Sequence, residues 1–126
     1  MLRGLNMDRQ LLISSLIEYA GRNHSNTEVV ATDSTGQVHR TDWAEVHQRS
    51  QRVSGALRAA GIDQGDRVGT IGWNDHRHLE AYYGITGIGS VLHTVNPRLR
   101  EQQIAWIINH AEDKIVFVDP DFLSVA

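Results

Sequence analysis

The side chains most suited to bind a metal lie close together in the stretch "HRH", which places His76 and His78 two residues apart. Residues two apart on a helix do not share a face, and no third ligand follows at a suitable spacing. We therefore assign no metal-binding residue and expect these histidines to lie at the surface or in a helix cap.

Glycines and serines could bind phosphate or act as nucleophiles, but their spacing does not favour either role. The one glycine cluster, "GITGIGS", ends a predicted helix, whereas a phosphate loop must precede one. The sequence contains neither a G-x-x-x-x-G-K-[ST] loop nor a G-x-S-x-G elbow. We assign no catalytic or cofactor-binding residue.

Polar and aromatic residues follow the predicted strands. Trp73 and Asn96 each come after an apolar run, and Asp119 and Asp121 follow the last one. Ligands of doubly wound sheets bind at the carboxyl ends of the strands, so Trp73 and Asn96 are predicted to line a substrate pocket. The two aspartates are expected to be solvated loop residues.

Hydrophobic periodicity predicts the elements that position these residues. From Arg67 onward the pattern is β-α-β-α-β with short connections, which requires parallel strands. The fold class is therefore α/β, with an N-terminal helix and β-hairpin before a βαβαβ unit of a doubly wound sheet. The predicted elements are a helix at 9–20 ended by Gly21, a hairpin at 27–41, a helix capped by Asp42, and a helix at 76–89 with Leu79, Tyr82, Tyr83 and Thr86 inward.

Composition excludes several functional classes. The 126 residues are 40% hydrophobic and 21% charged, with a net charge of −3 and no cysteine. The chain has no basic block for nucleic acid, no apolar run of the ~20 residues that a membrane span needs, and no disulfide. We expect a cytoplasmic protein with no nucleic-acid partner and no transmembrane segment.

Several motifs in order carry a family resemblance: "GDRV" (65–68), "HLEAYYG" (78–84), "GSVLHTVNPRL" (89–99) and "NHAEDKIVFVD" (109–119). Residues 5–122 resemble the N-terminal region of the adenylate-forming (AMP-binding) superfamily. They are most similar to its medium- and long-chain fatty-acyl-CoA synthetase branch, which includes 3-methylmercaptopropionyl-CoA ligases.

The resemblance implies an enzyme that activates a carboxylic acid with ATP and Mg²⁺, then transfers the acyl group from AMP to coenzyme A. The family's phosphate loop, adenine-binding and ribose-binding motifs and catalytic lysine have no counterpart here. No catalytic residue is therefore carried over, and the chain alone is expected to be inactive and to bind none of these cofactors.

The end of the sequence, "DPDFLSVA", follows a strand without covering its edge. We expect residues 1–126 to be a partial N-terminal domain, truncated at its C-terminal end. Two alternatives stay open: a stand-alone flavodoxin-like binding module, and a dimerisation segment that uses the apolar residues Leu12, Leu16 and Tyr19.

Overall fold

A parallel three-stranded sheet lies at the centre of the fold, and helices cover both of its faces. The computed structural model describes residues 8–124. Its elements are α1 (Ile13–Asn23), β1 (Glu28–Thr32), β2 (Val38–Asp42), α2 (Trp43–Ala59), β3 (Arg67–Ile71), α3 (His76–Thr86), β4 (Val91–Thr94), α4 (Glu101–Ala111), β5 (Ile115–Val118) and the short 3-10 helix Pro120–Phe122. None of the described helices is long and apolar enough to cross a membrane.

The sheet has the strand order β4-β3-β5 with all pairs parallel. Gly69 in the middle of β3 aligns with His93 of β4 and Val116 of β5. This arrangement confirms the predicted βαβαβ unit and places the carboxyl ends of the three strands at one edge.

Two apolar clusters, one on each face of the sheet, form the core. On one face, Val68 packs with the α2 residue Leu57 and the α3 residue Ile85. On the other, Ile71 packs with Ile104 of α4. Strands with both faces covered form continuous apolar runs in the sequence, which explains why the pattern of these segments lacks clean alternation.

The N-terminal hairpin forms as predicted. Strands β1 and β2 pair antiparallel, and the Oδ1 atom of Asp33 accepts hydrogen bonds from the Thr35 and Gln37 backbone N–H groups, both at 2.9 Å. Gly36 has a φ of +84°, a conformation that favours glycine. At the end of β2, Asp42 caps α2 by accepting a 2.8 Å hydrogen bond from the Glu45 N–H, also as predicted.

Two helix predictions were wrong, and each involves a closely packed glycine. Helix α1 begins at Ile13 and continues through Gly21 to Asn23. Gly21 does not end the helix but makes room for the His47 ring, which a Cβ atom there would approach to 2.8 Å. Helix α3 buries Glu80, Ala81, Gly84 and Ile85 rather than the predicted face, and Tyr82 is 37% exposed. These glycines are sites of close approach, which periodicity alone does not reveal.

Gly84 allows α3 to lie directly against α2. A Cβ atom there would lie 2.6 Å from the Val53 side chain and 2.9 Å from the Ser50 carbonyl oxygen. The backbone carbonyl of Gly84 also accepts a 2.7 Å hydrogen bond from the Ser54 hydroxyl. The crossing of the two helices therefore depends on the missing side chain.

One arginine ties the start of α3 to the end of β5. The Arg77 Nη2 atom lies 2.6 Å from Asp75 Oδ2 and 3.0 Å from Asp119 Oδ2. The Asp75 and Asp119 side chains are only 2% and 9% exposed, whereas Arg77 is half exposed. Asp75 also caps α3, accepting a 3.1 Å hydrogen bond from the His78 N–H. We call these three residues the Arg77 clamp.

We predict that Gly84→Ala lowers the free energy of unfolding by about 1–3 kcal/mol, because the new methyl group overlaps Val53 and the α2 backbone. Gly55→Ala is the matched control, since Gly55 is also helical and nothing lies within 4 Å of the position that a Cβ atom would take there. That control should gain about 0.5–1 kcal/mol from helix propensity. Urea denaturation of both variants measures the difference; equal effects would contradict the close packing.

We also predict that Arg77→Ala costs about 2–3 kcal/mol at pH 7, because it leaves two buried carboxylates without their cation. Arg40→Ala removes a pair whose side chains are 63% and 53% exposed and should cost less than about 1 kcal/mol. The clamp lowers the pKa of Asp75, so its contribution is present above about pH 4 and lost as the pH falls further. Denaturation of the chain and of Arg77→Ala at pH 7 and pH 3 measures this. A loss of unfolding free energy that is as large at pH 3 as at pH 7 would contradict the clamp.

Candidate functional site

The carboxyl edge of the sheet is the candidate functional site. Two backbone hydrogen bonds extend the strand pairing towards it, from Val95 N–H to the Thr70 carbonyl oxygen at 2.9 Å and from Asp119 N–H to that of Ile71 at 2.8 Å. The connections that leave the three strands therefore begin side by side. In open α/β sheets this edge is where ligands bind.

Trp73 leaves β3 and turns towards β5. Its indole N–H donates a 2.9 Å hydrogen bond to Asp121 Oδ2, and its ring lies 4.9 Å from the Phe122 ring. Trp73, Phe117 and Pro120 line a depression of about 200 Å³, and the Arg77 side chain lies at its border. The depression has an apolar wall and a charged rim.

Asn96 lies on the other side of β3, after β4. It is exposed, and its Oδ1 atom accepts a 3.0 Å hydrogen bond from the Arg98 N–H in the turn that leads to α4. It does not line the depression beside Trp73. The two predicted wall residues thus share an edge but not a pocket within the described residues, and their substrate role stays a prediction.

Charge at this edge is concentrated around Arg77. Besides the Asp75 hydrogen bond, which contributes most, the charges of Asp119 and the hairpin residue Asp33 raise the pKa of Arg77. The Ser34 hydroxyl and then the Trp73 indole lower the pKa of Asp121. Since aspartates are ordinarily ionised at neutral pH, the edge presents four negative groups to one guanidinium.

Burial and pairing act in opposite directions on Asp75. Burial raises its pKa, but hydrogen bonds from Arg77 and from the His78 N–H outweigh that effect and leave the pKa lowered. Asp75 is therefore a charged cap at the N-terminus of α3. A phosphate would find this helix end already neutralised, and would meet the carboxylates of Asp119 and Asp121 nearby.

The Arg77 clamp was not predicted from the sequence. Asp119 was expected to be solvated, but its side chain is 9% exposed and paired with Arg77, 42 residues away in the chain. The signal in the sequence was an Asp-x-Arg at a helix start and an aspartate after the last strand. Neither feature reveals the pairing without the parallel sheet that brings them together.

Comparison with known sequences identifies close relatives. A family model described as AMP-binding enzyme matches residues 17–125. The chain is 51% identical over 119 residues to a long-chain-fatty-acid–CoA ligase of Thermus thermophilus, covering 94% of this chain and 22% of that protein. It is 48% identical over 122 residues to a 3-methylmercaptopropionyl-CoA ligase of Ruegeria lacuscaerulensis, covering 97% and 23%. A medium-chain-fatty-acid–CoA ligase of Ectopseudomonas oleovorans is also 48% identical, over 97% of this chain and 22% of its own length.

Comparison with solved structures supports the same fold. An anthranilate CoA ligase, AuaEII, in complex with anthranoyl-AMP superposes with a TM-score of 0.82 at 18% identity, over 94% of this chain and 22% of that one. At this identity the likeness shows the fold alone. The chain spans less than a quarter of the length of each of these relatives. The family match over residues 17–125 and the identity with these ligases together establish that the chain belongs to the AMP-binding enzyme family.

Proposed function

We propose that the chain is the N-terminal segment of an ATP-dependent carboxylic acid–CoA ligase that acts on fatty acids or related acids. The reaction would join the acid to AMP with release of pyrophosphate, and then pass the acyl group to the thiol of coenzyme A. The observation that carries the proposal is the identity of about half of the residues with several acid–CoA ligases over nearly the whole chain.

The described residues do not fit the cofactors of such a ligase by themselves. The carboxylates around Arg77 disfavour a triphosphate, and Asp75 occupies the N-terminus of α3. No group of three or more histidine or acidic side chains within residues 8–124 is placed to hold Mg²⁺. The resemblance implies that ATP, Mg²⁺ and coenzyme A are bound by motifs that have no counterpart in this sequence, so we propose no contact of the segment with them.

The segment would instead hold the connection between β3 and α3 in position and form part of the wall of the acid-binding pocket. The clamp fixes the start of α3 relative to the end of β5, so the residues between β3 and α3 have a defined position. Trp73, 36% exposed beside the depression, and the exposed Asn96 are proposed to form part of the wall that the acid meets. We also propose a cytoplasmic location, because the activated acid and its thioester would be used there.

Helix α1 is proposed to be a dimer contact. Leu12, Leu16 and Tyr19 are 52%, 62% and 60% exposed, while Ile17 on the opposite side is buried. The three residues form a stripe at helical spacing with no cover among the described residues. A second copy of the chain is the partner that this stripe is proposed to meet.

We expect no acid-dependent pyrophosphate release from the 126-residue chain alone, because its sequence has no counterpart of the family's phosphate loop and catalytic lysine. A chimera in which residues 5–122 replace the matching segment of the Thermus thermophilus ligase should release pyrophosphate and form acyl-CoA. The native Thermus enzyme is the control. A chimera that folds, judged by circular dichroism, but releases no pyrophosphate would contradict the proposed function and favour a stand-alone binding module.

The dimer contact predicts that Leu16→Lys converts a dimer into a monomer, since it places a charge in the apolar stripe. Ala59→Lys on an exposed position of α2 is the control and should leave the mass unchanged. Light scattering at several protein concentrations measures the molar mass of the starting protein and of both variants. A monomeric starting protein, or an unchanged mass for Leu16→Lys, would refute the contact.

A further inference from the structure

A groove separates the N-terminal hairpin from α3. It has a volume of about 540 Å³, with residues 29–32 of β1 on one side and residues of α3 and its cap, including His76, Leu79 and Tyr82, on the other. The hairpin packs mainly against α2 and makes few contacts with α3. Groups that join the hairpin to α3 therefore lie where they can affect the width of this groove.

One junction between the hairpin and α3 is a pair of stacked imidazoles. The rings of His39 on β2 and His76 on α3 have centroids 3.7 Å apart and an interplanar angle of 18°. Parallel stacking at this distance is favourable when the rings are neutral or carry one charge. Two imidazolium rings would repel each other at the same distance.

One nitrogen of the His76 ring has no hydrogen-bond partner to hold a proton. Its Nδ1 atom is buried and has no hydrogen-bond partner among the described residues. His78, two residues further along α3, differs because its Nε2 atom lies 3.1 Å from the Thr70 hydroxyl. A charged His76 would therefore bury an unpaired donor as well as face His39.

The charged groups around His76 do not reverse this preference. Burial and then the charge of His39 lower its pKa, and Arg77 acts in the same direction. Asp75 and Glu80 act to raise it, but Asp75 is paired with Arg77 and Glu80 with Arg49 of α2 at 2.6 Å. On the hairpin side, the other nearby pair, Arg40 and Glu28, neutralises itself at 2.7 Å.

We propose that the His39–His76 stack is a proton-sensitive latch that holds the hairpin against the start of α3 and releases it in acid. Protonation of both rings separates them and widens the groove between β1 and α3. The device is independent of the proposed ligase function, because it needs only residues of the hairpin and α3. Its sign is fixed: the lowered pKa of His76 means that the stabilisation is present above about pH 6.5 and is lost as the pH falls.

Two substitutions test the latch while keeping a flat ring at the junction. His76→Phe retains stacking but cannot be protonated, and His39→Phe removes the facing charge from His76. In the 126-residue chain, ring-to-ring NMR contacts between positions 39 and 76 should weaken between pH 7 and pH 5, whereas in His76→Phe they should persist. In His39→Phe, the His76 titration midpoint should rise, because the second cause that lowers its pKa after burial is removed.

Denaturation midpoints at pH 7 and pH 5 complete the test, with His24→Phe as a control for an exposed histidine. The chain and His24→Phe should lose stability in acid, and His76→Phe should lose less. The latch is refuted if His76→Phe is as acid-sensitive as the unmodified chain. It is also refuted if the titration midpoint of His76 is the same in the chain and in His39→Phe.

Discussion

The guanidinium of Arg77 holds together the parts of the molecule on which the candidate site depends. It binds Asp75, which caps α3, and Asp119, which follows β5, and both carboxylates are almost fully buried. Removing the guanidinium would leave both carboxylates without their cation. The clamp thereby fixes the connection from β3 to α3, where Trp73 lies, against the turn after β5, where Asp121 accepts the indole hydrogen bond.

The same arrangement makes this edge a poor binding site for an anion. A helix N-terminus at the carboxyl edge of a parallel sheet would ordinarily attract an anion. Here Asp75 satisfies that helix end, and Asp119, Asp121 and Asp33 add negative charge around Arg77. The described part of this edge is therefore poorly suited to hold a phosphate.

Local patterns in the sequence predicted most of the fold, because turns, caps and apolar runs act over a few residues. Asp42 and Gly36 behaved as their local chemistry requires. The buried face of α3 was predicted wrongly. The prediction placed the larger apolar and aromatic side chains inward, whereas the face that contacts α2 contains Gly84, which has no side chain. Contacts distant in the chain, such as Arg77 with Asp119 and His39 with His76, cannot be identified from local patterns alone.

In the proposed ligase, the carboxyl edge of the sheet would face the acid. Hydrogen exchange of the Thermus chimera, with and without a non-hydrolysable acyl-adenylate analogue, tests it most directly. We expect slower amide exchange at residues 72–75, 95–96, 119 and 121, and no change in the opposite loops at 63–66 and 112–114. Protection of the opposite loops, or of neither set while the analogue is bound, would contradict the account.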